Sequence, residues 1–298
     1  MDRTQRHAIR EIGVAGEHSG PYDITPGPDG ALWLTLVQMG AIARLTPDGA
    51  ATTHQLDSAT CKPGIITAGP DGALWFTRFD DHQIGRITTQ GQVTSFALAS
   101  GSSPFGIAVG ADDALWFTET NTDRIGRIST DGVIQTFALP SAGMFPSAIT
   151  AGPDEALWFT LNRANAIGRV SLAGDISIHP LPTAGAAPVG ITLGSDGAIW
   201  FVEIAAGQVG RLSVKDRSIQ EFPLPDRAAK PHAITAAPGG ACWFTQWQGN
   251  RIGHVAPGGA ITEYALPSPA SEPHGLTLDP DGALWVALEA RGVARLDV

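Results

Sequence analysis

The stretch from Pro70 to Leu98, "PDGALWFTRFDDHQIGRITTQGQVTSFAL", holds the pattern that decides the fold. A Gly/Asp turn leads into a short apolar run around Trp75, a polar loop leads into "IGRI", and a second Gly turn leads into an alternating run ending at Leu98. Short runs of β-branched and aromatic residues bounded by turn residues read as strands. The following unit, in "PFGIAVGADDALWFTET" (Pro104–Thr120), shows a further apolar strand ahead of the turn, which makes four strands per unit.

Tryptophan sets the period. Trp33, Trp75, Trp116, Trp158, Trp200, Trp243 and Trp285 are spaced by 42, 41, 42, 42, 43 and 42 residues, so the unit is read seven times. One four-stranded sheet of this size cannot bury both faces unless neighbours stack on it, and a period of about 42 residues is that of a β-propeller blade. The expectation is an all-β chain: a single seven-bladed β-propeller over residues 1–298, with four-stranded antiparallel blades and the tryptophans filling the space between them. The last unit, from Pro273, has only 26 residues and stops after its third strand. "HAIREIGV" (His7–Val14) resembles the fourth strand in "GAITEYAL" (Gly259–Leu266), so residues 7–14 are expected to supply the outer strand of blade seven and close the ring, which removes two sheet edges.

Composition narrows the function classes. Hydrophobic residues make up 43% of the chain and charged residues 16%, with 36 Gly and 22 Pro, as suits a turn-rich globular protein. A net charge of −10, with Lys and Arg scattered rather than in runs, offers no footprint for a nucleic-acid backbone or an anionic membrane surface. The N-terminus lacks an apolar signal core and no segment reaches the length of a membrane span, so a cytoplasmic protein without nucleic-acid or membrane partners is expected, as a monomer. Cys61 and Cys242 are read as buried thiols.

Each unit opens with a proline, and the residue after it should ring the axis at one face of the disc: Tyr22, Gly64, Phe105, Ser147, Val189, His232 and His274. Two adjacent blades thus bring imidazoles into a ring otherwise largely apolar or small, the profile of a ligand pocket with a few convergent polar groups. In blade seven, pairing Leu278 with Ala283 across a four-residue "DPDG" turn carries along the strands to Glu272 opposite Glu289. The corresponding pairs elsewhere are Gly20 with Val37, Lys62 with Phe79, Ser103 with Thr120, Phe145 with Asn162, Ala187 with Ile204 and Lys230 with Trp247, so only blade seven opposes two acids. Opposed carboxylates repel unless a cation or shared proton compensates, and two hard oxygen donors suit Mg²⁺. His274, two residues from Glu272, should share its face on a strand, which sets a base beside a Lewis acid.

The remaining histidines, His7, His18, His54, His82, His179 and His254, fall in outer strands or loops and are read as structural. Glu119 and Glu203 follow their tryptophans by three residues rather than four and are not ranked as ligands. Trp247 stands outside the tryptophan register and could wall a ligand or cap a blade.

The repeat, together with "KPHAIT" around His232, "EPHGLTLDPDGALW" around Glu272 and His274, and "WVALEA" ending beyond Glu289, resembles the virginiamycin B lyase family of seven-bladed propellers over the whole chain. The resemblance implies a Mg²⁺-assisted carbon–oxygen lyase that opens the ring ester of streptogramin B antibiotics, small cyclic depsipeptides, by elimination. It further implies His274 as general base, Glu272 and Glu289 as metal ligands, direct or through water, and His232 as a substrate-binding residue or proton partner. Tyr22, Phe105, Val189 and Trp247 suit a bulky aromatic substrate. A metal-dependent lactone or ester hydrolase on the same architecture, and a non-enzymatic binding propeller, are the competing readings.

Overall fold

A computed structural model describes residues 8–16 and 18–298. Among these residues the strands form seven four-stranded antiparallel sheets. Six sheets take their strands in chain order, and the seventh joins Pro273–Leu278, Leu284–Leu288 and Gly292–Leu296 to the N-terminal strand Ile9–Ile12. Ile9 pairs with Leu296 and Ile12 with Val293, so the expected closing strand is present; His7 lies outside the described residues. The innermost strands neighbour one another in sequence order around the ring, and the first, Pro21–Pro26, also meets the last, Pro273–Leu278. The seven-bladed propeller is thereby closed.

The repeat's sequence pattern has a local physical cause in each blade. In five blades the turn aspartate accepts the indole N–H of its tryptophan and the Nε–H of the "IGR"-position arginine, as Asp112 does from Trp116 at 3.0 Å and Arg127 at 2.6 Å. These partners outweigh partial burial and hold the Asp29, Asp71, Asp112, Asp154 and Asp196 carboxyls below the usual range. The glycine of the same motif is demanded by packing: a Cβ at Gly126 would fall 2.1 Å from the Phe117 ring, and Gly85, Gly168, Gly210 and Gly253 meet their phenylalanines in the same way. Blades one and seven confirm the logic, because Ala43 and Ala294 occur where the facing residues are the smaller Leu34 and Val286. Cores form between blades, as where Trp75 of blade two packs with Ile107, Leu115 and Phe117 of blade three. Cys61 and Cys242 are buried and unbridged.

One feature of the register was absent from the sequence-based expectation. Leu278 pairs with Leu284, not Ala283, so the connection is five residues long rather than four. A β-bulge between Pro273 and Leu276 then shifts the register back by one, and Pro273 pairs with Leu288. The expected opposition at the rim survives because the two departures cancel: the Glu289 N–H donates to the Glu272 carbonyl at 3.0 Å, and the six other anticipated pairs make the same bond.

The bulge recurs in every blade and unpairs inner-strand backbone groups just where the ring residues sit. Threonines on the second strand use those freed groups. Thr118 Oγ1 accepts the Gly106 N–H at 2.9 Å and donates to the Ser147 carbonyl of the next blade at 2.6 Å. Thr35, Thr77 and Thr160 repeat this bridge, so the residues that satisfy the bulge also weld neighbouring blades.

Candidate active site

The bulges deliver the predicted ring residues to one end of the axis. Tyr22, Phe105, Val189 and His232 line an axial cavity of about 130 Å³ whose deeper wall is Ile65, Ile107, Ile149, Ile191, Ile234 and Leu276. The same four residues, with Phe79, Thr120, Phe145, Ser147 and Asn162, line a hollow of about 270 Å³. Phe79 and Phe145 extend this aromatic wall beyond the residues ranked from sequence; they lie just outside the strands, so their position in the repeat gave no cue to their direction.

His274 is buried beside this hollow. Its ring lies 4.6 Å from both the His232 and Tyr22 rings and 6.4 Å from that of Trp247, which is 38% exposed. Trp247 therefore stands by the imidazole as an exposed aromatic wall. His274 Nδ1 is 3.4 Å from His232 Nδ1, and His232 Nε2 is 3.5 Å from the Tyr22 hydroxyl. On the other side, His274 Nε2 is 2.8 Å from Glu289 Oε2. That contact is close but off the line along which a ring N–H donates well, so Nε2 has no well-directed hydrogen bond.

Burial and neighbours fix the charge on each group. The His274 imidazole holds the Glu289 carboxyl below the ordinary range, against desolvation, with help from Gln38, so Glu289 is an anion. Desolvation, then the neighbouring His274, pushes His232 down to about 3, which keeps it a neutral imidazole. Burial, then the charges of Asp23 and Glu289, pushes Tyr22 up, which keeps it a phenol. Donor–acceptor balance then gives the proton positions. With the anionic Glu289 opposite Nε2, a His274 tautomer protonated on Nε2 leaves Nδ1 to accept from His232 Nδ1–H. His232 Nε2 in turn accepts the Tyr22 hydroxyl. The outcome is a series of polar groups that runs from Tyr22 through His232 and His274 to Glu289.

Glu272 departs from the expected strand geometry. It precedes the first strand residue, Pro273, and has a left-handed backbone with φ of 53°, so strand alternation does not fix its side chain relative to His274. All seven residues before the inner prolines share this conformation, which makes it a property of the blade and not of the site. Glu272 is partly buried, and its carboxylate makes no hydrogen bond or ion pair among the described residues.

No group of three or more His, Cys, Asp or Glu among the described residues is arranged to enclose a divalent ion. A closed zinc site needs such a group. Mg²⁺ does not, since it commonly takes one or two carboxylates and completes its shell with water and substrate. Glu272, whose carboxylate has no partner among the described residues, and the anionic Glu289 are hard oxygen donors of the type this ion takes, and their backbones meet at one rim.

Several residues set aside from sequence lie away from the imidazoles. His54 and His179 stack on Trp33 and Trp158 with ring separations of 5.7 and 5.4 Å, His254 lies 4.6 Å from Trp243, and His82 accepts the Ser103 N–H. Glu119 accepts from Thr122, and Glu203 from Gln208. Asp23 was missed. It lines the axial cavity at a place where the other blades carry Ile65, Gly106, Ala148, Gly190, Ala233 and Gly275, a contrast that was legible in the repeat. Its Oδ2 accepts the Ile66 N–H at 2.9 Å, and burial pushes its carboxyl up to about 7.

Known proteins resemble this chain over nearly its whole length. Residues 7–296 match the description "Virginiamycin B lyase family". The virginiamycin B lyase from Staphylococcus aureus is 40% identical, with a TM-score of 0.94 over 98% of this chain and 99% of that one. A catalytically inactive histidine-to-alanine form of that lyase, solved with quinupristin, has the same identity, coverage and TM-score. A virginiamycin B lyase of Saccharopolyspora erythraea is 59% identical over 58 residues, an aligned stretch that covers 20% of this chain and 19% of that protein. On the match along nearly its full length, the chain is an enzyme that belongs to the virginiamycin B lyase family.

Proposed function

We propose that this enzyme is a Mg²⁺-dependent carbon–oxygen lyase that linearises streptogramin B depsipeptides by eliminative opening of the ring ester, and so confers antibiotic resistance. The observation that carries the reading is the series Tyr22, His232, His274 and Glu289, which sets a buried imidazole against a carboxylate beside an aromatic-lined hollow. The inactive histidine variant of the Staphylococcus aureus lyase, solved with quinupristin, supports both a histidine-dependent reaction and this substrate class.

Phe105, Phe79, Phe145, Val189 and Trp247 would hold the aromatic parts of the depsipeptide and exclude water from the reacting atoms. His232 would orient the substrate, exchanging its contact with His274 Nδ1 for one with the ligand. His274 Nδ1 would remove the α-proton of the threonyl residue whose side-chain oxygen closes the ring. The electron pair of that C–H bond becomes the new C=C bond, the Cβ–O bond breaks, and the carboxylate departs without consuming water. Glu289 would hold the Nε2 proton and stabilise the imidazolium that forms, the role a buried carboxylate plays behind a catalytic histidine. Glu272 and Glu289 would hold Mg²⁺, which when bound supplies positive charge that acidifies the α-proton through the adjacent carbonyl. The acidic chain is further proposed to act in the cytoplasm as a monomer, the latter checked by its sedimentation mass.

Mass spectrometry of a streptogramin B incubated with the protein in ¹⁸O-labelled water tests the proposal. A linear product of unchanged mass, free of label and lost with excess chelator, is expected. A product heavier by one labelled water would assign a hydrolase instead, and no product would reject this substrate class.

A further inference from the structure

We infer that Gln38 is a positioning residue of this site: it reaches across the seam where the ring closes and fixes the Glu289 carboxylate against His274. This rests on the catalytic reading above for its effect on turnover, although the contact itself does not. Gln38 Nε2 donates to Glu289 Oε1 at 2.7 Å, while the other oxygen, Oε2, faces His274 Nε2 at 2.8 Å. One carboxylate is thus held from two blades, and the amide occupies the oxygen that the imidazole does not.

The repeat shows how this side chain comes to be free in blade one, where it lies next to the closing seam; blade six carries Gln248 at the same position, but away from Glu289. Gln38 lies two residues past the end of its blade's second strand, where blades two, three and four carry Asp80, Asn121 and Arg163. Each of those engages the residue before its own blade's inner proline. Asp80 pairs with Lys62 at 3.0 Å, Asn121 Nδ2 donates to Ser103 Oγ at 3.0 Å, and the Arg163 guanidinium lies 4.3 Å from the Phe145 ring centre. In blade one the residue before the proline is Gly20, which has no side chain to engage. A Cβ there would fall 2.4 Å from Gln38 Cγ, and its φ of +68° suits glycine. Gly20 thus seats the Gln38 stem over its own backbone, and the amide is released toward blade seven.

Partners that orient a functional carboxylate or histidine commonly change activity by one to two orders of magnitude when removed. Gln38 is exposed, so the low end applies. The test uses the full-length protein with Gln38→Met, which keeps the length of the stem and removes the donor, and Gln38→Lys, which restores one. Expected for Gln38→Met are a fall in kcat of about tenfold with KM changed by less than about twofold, and a shift of the His274 ring ¹⁵N resonances in the metal-free protein. Gln38→Lys should recover most of kcat and return the resonances toward those of the parent. Parent-like kcat and parent-like His274 resonances in Gln38→Met would overturn the inference. If the parent protein opens no streptogramin, the lyase reading fails instead, and the His274 resonances alone then decide whether Gln38 governs the Glu289 contact.

Discussion

Asp23 and His232 are opposite cases of burial acting on a titratable side chain. Asp23 keeps its proton in the folded state up to about 7, whereas the unfolded carboxyl releases it near 3.8. Between those values the native state binds the extra proton, so stability falls as pH rises from about 4 to about 7 and then levels. Asp23→Asn should therefore be more stable than the parent at pH 8 by a few kcal/mol, on the order of 4, with the advantage vanishing near pH 4; urea unfolding at the two pH values checks this. His232 has the reverse sign. The unfolded imidazole gains a proton near 6.5 and the folded one only near 3, so this contribution is lost as pH falls through that window and should be absent in His232→Gln. At the reacting end, Glu289→Gln keeps the shape but removes the charge that fixes the Nε2 proton on His274. Turnover should drop by about a hundredfold or more with the fold intact, as seen when the carboxylate behind a catalytic histidine is neutralised; stopped assays alongside circular dichroism would show both.

Within each blade, the facing pair on the second and third strands decides how much side chain fits. Gly126 lies under the Phe117 ring, and an added methyl has no room, so Gly126→Ala should destabilise by about 1–3 kcal/mol in urea unfolding. Blade one shows the compensation, since Ala43 faces Leu34. The double variant Gly126→Ala with Phe117→Leu should then lose less than the two single changes summed, and a double-mutant cycle measures the coupling. The bulge at each inner strand is the element that joins fold to function. It places the ring residue where backbone pairing is interrupted, and a threonine bridge repairs most of the interruptions. Blade seven has Ala287 at the threonine position, so the strand that carries His274 meets blade one without that bridge.

At the scale of the whole molecule, closure rests on a strand from the far end of the chain. Ile9–Ile12 covers the edge of Gly292–Leu296, and Glu11 accepts from the Ser268 N–H and hydroxyl in the loop between blades six and seven. Removing residues 1–12 should expose that edge, lower the melting temperature and raise self-association, all of which light scattering during a thermal ramp would record. The proposed metal ligands, by contrast, sit at the rim and outside the interblade cores. Excess chelator should abolish turnover and leave the urea midpoint unchanged.

The tryptophan period, the turn chemistry and the missing last strand determined the seven blades and their closure from sequence alone, because each is a local pattern repeated often enough to remove ambiguity. The ring of residues after the prolines was legible for the same reason, and it set Tyr22, His232 and His274 on adjoining blades. The strand register was not legible, since the bulge leaves no residue pattern in the strand it bends and recurs in blades five and seven, where Val202 and Ala287 replace the bridging threonine. Nor did strand alternation describe Glu272, whose left-handed backbone belongs to the turn before the proline. The contact of Gln38 with Glu289 joins residues 251 positions apart across the closing seam, and no spacing within a repeat encodes it. The same holds for charge at the site: sequence supplied the residues, but only burial in the folded ring keeps His232 neutral and only the contacts with His274 and Gln38 keep Glu289 ionised.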